Sequence, residues 1–259
     1  MNKPAPIIDT HAHYEHSQFK HDREELLTRL ASSGIECIIN VGCDLQSSKA
    51  SVALAEAHPF IFATVGVYPH NAKTLSEQKL ENLKAMCVHE KVVAYGEIGL
   101  DFFHNFSPPD IQRHWFKRQL ELTKELALPV IIHSRDAAEE TFEMVEMSAL
   151  RRGVIHSFSG DAALARAYVN LGFYIGIGGV VTFDKTKRLP NVVDAIPLEK
   201  IVLETDAPYL TPTPFRGKRN DSSYLTYVAS AIAEIKGMPY EKVCAQTCSN
   251  ALELFGIPR

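Results

Sequence analysis

Short apolar runs rich in β-branched residues alternate along the chain with longer stretches whose apolar positions recur every three or four residues. The short runs are Ile7–His13, Cys37–Gly42, Ile61–Val67, Val92–Leu100, Val130–Ser134, Val154–Phe158, Tyr174–Gly178 and Ile201–Thr205. Several are near-continuous Val/Ile segments, as expected of parallel strands covered on both faces. Between them, Arg23–Ser33, Ser47–Ala57, Leu75–His89, Ile111–Leu126, Ala137–Met147 and Ala162–Leu171 have the period of amphipathic helices. Thr74, with Glu77 three residues on, has the spacing of a capping box. After the seventh strand, Pro190 and Pro197 leave room for only a short helix. Tyr240–Phe255 predicts a closing helix packed outside the strands.

Eight strands with intervening helices fit a closed barrel or an open doubly wound sheet. The open sheet normally carries a Gly-rich phosphate loop after its first strand; here that strand ends in His11-Ala12-His13. The expected fold is therefore α/β, a (β/α)8 TIM barrel forming one domain over residues 1–259. A length of 259 residues and a 46% hydrophobic composition suit one large core of that kind.

A net charge of −4 rules out a surface that holds nucleic acid by overall charge, so any such binding needs a local basic patch. The five cysteines are odd in number and form no CxxC pair, which points to a reducing compartment. Cys244 and Cys248, one helical turn apart, read as small apolar residues on a buried helix face rather than a metal pair. The N-terminal MNKPAP lacks a signal-peptide core, and no apolar run reaches the length of a membrane span. A soluble, cytoplasmic protein is expected, monomeric and without a membrane partner.

Candidate chemistry collects at the C-terminal ends of the strands: Asp9-Thr-His11-Ala-His13, Gly96-Glu97, His133-Ser-Arg135, His156-Ser-Phe-Ser159 and Glu204-Thr-Asp206. In a barrel these ends converge on the face that carries the active site. Strand alternation puts Asp9, His11 and His13 on one side and aims two imidazoles into one cavity. Imidazoles and carboxylates in that pattern suit divalent cations. Two cations about 3.5–4 Å apart would screen a phosphodiester, acidify an attacking water and steady the leaving oxygen. Glu97 is the candidate bridge between them. His11, His13 and Asp206 would complete one site, and His133 and His156 the other. Asp206 is also the candidate base that orients the water. Glu204 reads either as a partner holding a ligand histidine or as a buried, hydrogen-bonded barrel residue. The metal could be Mg, Mn or Zn.

Phosphate contacts are sought in Arg135, which shares strand parity with His133, in Ser157 and Ser159, and in the basic runs Lys185–Arg188 and Arg216–Arg219. Arg216, flanked by Pro212, Pro214 and Gly217, is favoured as a substrate contact on a rigid loop. His16, His21, His58, His89 and His114 read as solvated, while His70 and His104 lie just past strand ends.

Taken together, IIDTHAH, VGVYPHNA, GEIGLDF, LPVIIHSRDA, IHSFSG, LETDAP and RGKRND give a chain that resembles the TatD family of metal-dependent deoxyribonucleases from Ile8 to the C-terminal helix. The resemblance implies a (β/α)8 barrel, divalent cations, and hydrolysis of DNA, often as a 3′–5′ exonuclease on single strands or 3′ ends. It implies ligand roles for His11, His13, Glu97, His133, His156 and Asp206, and a place for His70 near the substrate. Tyr68 stands where a histidine commonly precedes the Pro-His pair, and Ser222 where a proline is usual. Both departures are expected in substrate-facing loops. The rival is an amidohydrolase-like barrel acting on an amide, lactone or ester. Many of those bridge their metals with a carboxylated lysine, but the segment from Ala94 to Asp101 holds Glu97 and no lysine.

Overall fold

A computed structural model describes residues 5–258. Its eight strands are β1 (Ile7–Ala12), β2 (Ile35–Val41), β3 (Ile61–Val65), β4 (Val92–Asp101), β5 (Val130–Arg135), β6 (Gly153–Ile155), β7 (Tyr174–Ile177) and β8 (Ile201–Leu203). All neighbouring pairs are parallel, in the order β1 to β8. The helices are α1 (Arg23–Ala31), α2 (Leu45–Ala57), α3 (Glu77–Met86), α4 (Pro109–Leu126), α5 (Ala138–Ser148), α6 (Ala162–Asn170), α7 (Arg188–Ala195), α8 (Leu225–Lys236) and α9 (Tyr240–Phe255). The architecture is the expected (β/α)8 barrel.

The barrel closes between β8 and β1 largely through side chains. Thr10 Oγ1 donates to the Leu203 carbonyl at 2.9 Å, and Asp9 accepts from the Thr205 amide at 3.0 Å and from its hydroxyl at 2.6 Å. Backbone bonds complete the seam at the mouth, from Asp206 N to His11 O (2.9 Å) and from His13 N to Ala207 O (2.8 Å). Asp9 also accepts from Ser222 Oγ at 2.6 Å, and the Tyr14 hydroxyl meets the same Ser222 at 2.8 Å. Ser222 is therefore buried structure behind the seam, not a substrate-facing residue. Burial raises the Asp9 carboxyl to about 6 even though four hydrogen bonds oppose that shift.

β4 is buried along its whole length and sits so close to its neighbours that two of its residues must be glycine. At Gly99, where φ is +151°, a Cβ would lie 1.9 Å from the His133 carbonyl oxygen; at Gly96, with φ of +142°, it would lie 2.6 Å from the Ile131 carbonyl. This close approach draws Glu97 and His133, on adjacent strands, toward one another.

Several local expectations are corrected. The cap of α3 is Ser76, which accepts from Lys79 N at 3.3 Å, while Thr74 ends a preceding 3-10 turn and donates to Asn71 O. The capping box belongs instead to α2, where Asp44 and Ser47 satisfy each other's backbone amides. β6 and β8 end earlier than the apolar runs suggest: Ser157 (φ 45°) and Asp206 (φ 56°) take left-handed conformations that turn the chain. The helix α8 lay outside the predicted elements. α7 is short, as the two prolines require, with Pro190 tolerated in its first turn. α9 has the predicted bounds and packs against β1, β8 and α8. Cys244 and Cys248 are buried in apolar clusters, which accounts for their spacing without a metal. Among the described residues, no helix is long and apolar enough to cross a membrane.

Candidate active site

The strand ends open into a cavity of about 910 Å3, whose lining includes His13, Tyr68, His70, Glu97, His133, His156 and Asp206. Six side chains from five strand ends meet at its floor. His11 Nε2 and His13 Nε2 point at each other across 3.2 Å. Asp206 Oδ1 lies 3.5 Å from His13 Nε2, 3.8 Å from His156 Nε2 and 3.9 Å from His11 Nε2. The two oxygens of Glu97 diverge: Oε2 is 3.3 Å from His11 Nε2, while Oε1 is 2.9 Å from His133 Nδ1 and 3.9 Å from His156 Nε2. Glu97 thus stands between two groups of imidazoles with one oxygen toward each.

This cluster has the chemistry of a cation site. Glu97 is only 2% exposed, yet its carboxyl is held well below the usual carboxylate range. Burial alone would raise it, but the charges of His11 and His156 and the bonds from His11 and His133 outweigh that. One buried and one partly exposed carboxylate, Glu97 and Asp206, stand among four clustered imidazoles, a set of oxygen and nitrogen donors suited to divalent cations. The atoms of His11, Glu97 and His156, and separately those of His11, His13 and Asp206, lie close enough to share an ion. The donor set therefore fits divalent metal.

Behind the cluster, Glu204 is buried and contacts His156 Nδ1 at 3.1 Å and the Ser157 amide at 2.5 Å. Burial lowers the His156 pKa, but Glu204 and Glu97 more than reverse this and raise it to about 9. Glu204 is not among the residues lining the cavity; its carboxylate faces His156 and the Ser157 amide instead. Gly176 makes room for it, since a Cβ there would lie 2.3 Å from Glu204 Oε2.

Among the predicted substrate residues, His70, Arg135, Ser157 and Ser159 line the cavity, and so does Arg188. Arg216 does not. Its guanidinium donates to the Thr211 carbonyl at 2.8 Å and lies 3.8 Å over the Phe183 ring, so it braces its own loop. Tyr68, one of the two departures from the family pattern, does face the cavity, its hydroxyl 3.0 Å from His133 Nε2.

One residue at the centre of this network escaped the sequence reading. Asp101, fully buried at the end of β4, has Oδ2 within 3.0 Å of His70 Nε2, 3.3 Å of the Tyr68 hydroxyl and 3.4 Å of His133 Nε2. Burial would raise its carboxyl, but His133, the His104 amide and His70 hold it well below the ordinary range. The signal was available: Asp101 follows Glu97 by four residues, at the same strand parity. Cys43 is the other addition, with Sγ 3.8 Å from His13 Nδ1 and burial pushing its thiol up to about 11.

Residues 8–256 match the model of the TatD related DNase family. The chain belongs to that family. It is 42% identical over 253 residues to an uncharacterized metal-dependent hydrolase, YabD, of Bacillus subtilis (strain 168), covering 97% of this chain and 99% of that protein. It is 36% identical over 246 residues to the 3′–5′ ssDNA/RNA exonuclease TatD of Cronobacter sakazakii, covering 92% and 94%. The crystal structure of YJJV, a TatD homolog from Escherichia coli K12, superposes with a TM-score of 0.92 at 33% identity over 98% of this chain and 99% of that one. As a TatD-family member the chain is a metal-dependent hydrolase.

Proposed function

We propose that this TatD-family chain hydrolyses phosphodiester bonds of DNA, removing nucleotides from the 3′ ends of single strands with two divalent cations of the Mg, Mn or Zn class. The observation that carries the reading is the divergent carboxylate of Glu97, with one oxygen toward His11 and the other toward His133. In this assignment His11, His13 and Asp206 would hold one cation and His133 and His156 the other, with Glu97 placed to serve both. When bound, the cations neutralise the phosphodiester and acidify the attacking water.

The chain's own residues supply the rest. Asp206 is about one-fifth exposed and lines the cavity, so its carboxylate can reach an incoming water while still facing the histidines. It takes a proton from that water as the oxygen attacks phosphorus and the P–O3′ bond breaks; the shortened strand leaves as its 3′ oxygen takes up a proton from solvent. Arg135 and Arg188, both on the wall, offer positive charge to the phosphate backbone. These two provide the local basic patch that a net charge of −4 demands.

The test is turnover of 3′-labelled and 5′-labelled single-stranded oligonucleotides with Mg2+ or Mn2+, alongside RNA of the same sequence and a panel of amide and ester substrates. Release of mononucleotides from the 3′ end, abolished by chelator, is expected. Turnover confined to amides or esters would overturn the reading.

Glu204 gives a graded prediction. Glu204→Gln removes the charge that fixes the ring and basicity of His156, and divalent-cation affinity should fall about 10–100-fold. Calorimetric titration of metal-stripped protein measures this directly. An unchanged affinity would leave Glu204 as mere packing.

A further inference from the structure

A file of rings leads from the cation cluster out to solvent. Tyr68 packs edge-on against His133 and against His70, with centroids 4.6 Å apart in each case. His70 meets Phe106 at 4.7 Å, and Phe106 stacks on His104 at 5.3 Å with planes within 6°. Phe103 continues from His104 at 4.6 Å, and the Arg135 guanidinium lies 4.0 Å over its ring.

The outer members are apolar and wet. Phe103 is 55% exposed and Phe106 58%. Exposed apolar groups in one short loop beside a cavity mark a surface meant to be covered. The loop is also held in place before anything binds. Asp101 Oδ1 accepts from the amides of Phe103 (3.0 Å) and His104 (3.1 Å), and Gln112 Nε2 donates to the carbonyls of Asp101 and Ser107, both at 2.8 Å. Ser107 Oγ in turn donates to His70 O at 2.8 Å. Both ends of the aromatic segment are thereby tied to the residues that surround His133.

We propose that Phe103, His104 and Phe106 form a stacking subsite for a nucleobase of the single strand, within a few nucleotides of the phosphodiester being cut. The proposal rests on the nuclease reading above and adds the recognition element to it. These solvent-exposed rings match the one feature common to all four bases, a flat π surface, and so hold a strand without reading its sequence. Arg135 contributes on both counts: it braces Phe103 from one side and brings positive charge to the adjoining backbone. Preorganisation by Asp101 and Gln112 means that binding orders little additional chain.

The experiment is a cycle between protein and substrate. Oligonucleotides carrying one abasic residue at each of the last four 3′ positions are compared with the intact strand, on native enzyme and on a Phe103→Ala/Phe106→Ala double variant. On the intact strand, the variant should lose about tenfold or more in kcat/KM. At one position, native enzyme should lose a similar factor when the base is missing, and the double variant should no longer distinguish the two substrates there. Phe103→Tyr/Phe106→Tyr, which keeps the rings, should restore the discrimination. The proposal is overturned if native enzyme is indifferent to the base at all four positions, or if the alanine variant loses the same factor on every substrate. Failure of native enzyme to cut any oligonucleotide would remove the nuclease reading itself and this proposal with it. Cleavage without base dependence would remove the proposal alone.

Discussion

Replacing Glu97 with glutamine is expected to lower kcat by at least about a thousandfold, equivalent to about 4 kcal/mol of lost transition-state stabilisation. The reason lies in the number of usable oxygens. Glu97 presents Oε2 to His11 and Oε1 to His133. A glutamine keeps the length and volume but offers one carbonyl oxygen, so its amide nitrogen must face one of the two imidazole groups. That nitrogen carries no lone pair for a cation and no charge to balance one. Bound metal should fall with activity, from two ions per chain toward one or none by elemental analysis after dialysis. Because the amide is isosteric, circular dichroism should remain native, which separates loss of metal from loss of fold. Near-native turnover with full metal content would show that Glu97 bridges nothing.

The barrel and the cluster of six polar side chains at its mouth were both legible in the sequence, for one physical reason. A parallel strand buried on both faces tolerates little but Val, Ile and Gly, so a polar side chain at its C-terminal end stands out. His11, His13, Glu97, His133, His156 and Asp206 each interrupt an apolar run, and the structure brings all six within one cluster. What the sequence concealed depends on contacts between elements distant along the chain. Asp101 looked like the end of a motif because its partners come from the loop after β3, from β5 and from its own loop. Arg216 looked functional from its rigid, proline-flanked setting, but rigidity says nothing about direction, and the side chain folds back on Phe183 and Thr211. Ser222 suggested an altered substrate loop, yet its hydroxyl is committed to Asp9 at the barrel seam. Local pattern identifies which positions are polar against an apolar background. It does not say which way a loop side chain turns.

Asp206 separates binding from chemistry more sharply than any other residue of the cluster. Its backbone is left-handed, with φ of 56°, a conformation that asparagine tolerates better than other residues with side chains. Asp206→Asn should therefore leave the turn intact, along with the backbone bond from its amide to His11 O that closes the barrel at the mouth. One side-chain oxygen remains to face His13, His156 and His11. The ability to accept a proton does not. The native carboxyl is kept below its ordinary pKa: burial opposes ionisation, but the bond from His13 and the charges of His156 and His11 prevail. An ionised oxygen at the cavity wall is what a base for water requires. Its loss should cost kcat about 100- to 10,000-fold while KM stays within a few-fold, since the strand is gripped elsewhere. Single-turnover kinetics at saturating oligonucleotide would isolate that step. A variant that retained kcat within tenfold would mean the proton leaves by another route, whereas a variant that lost mainly KM would place Asp206 in substrate binding instead.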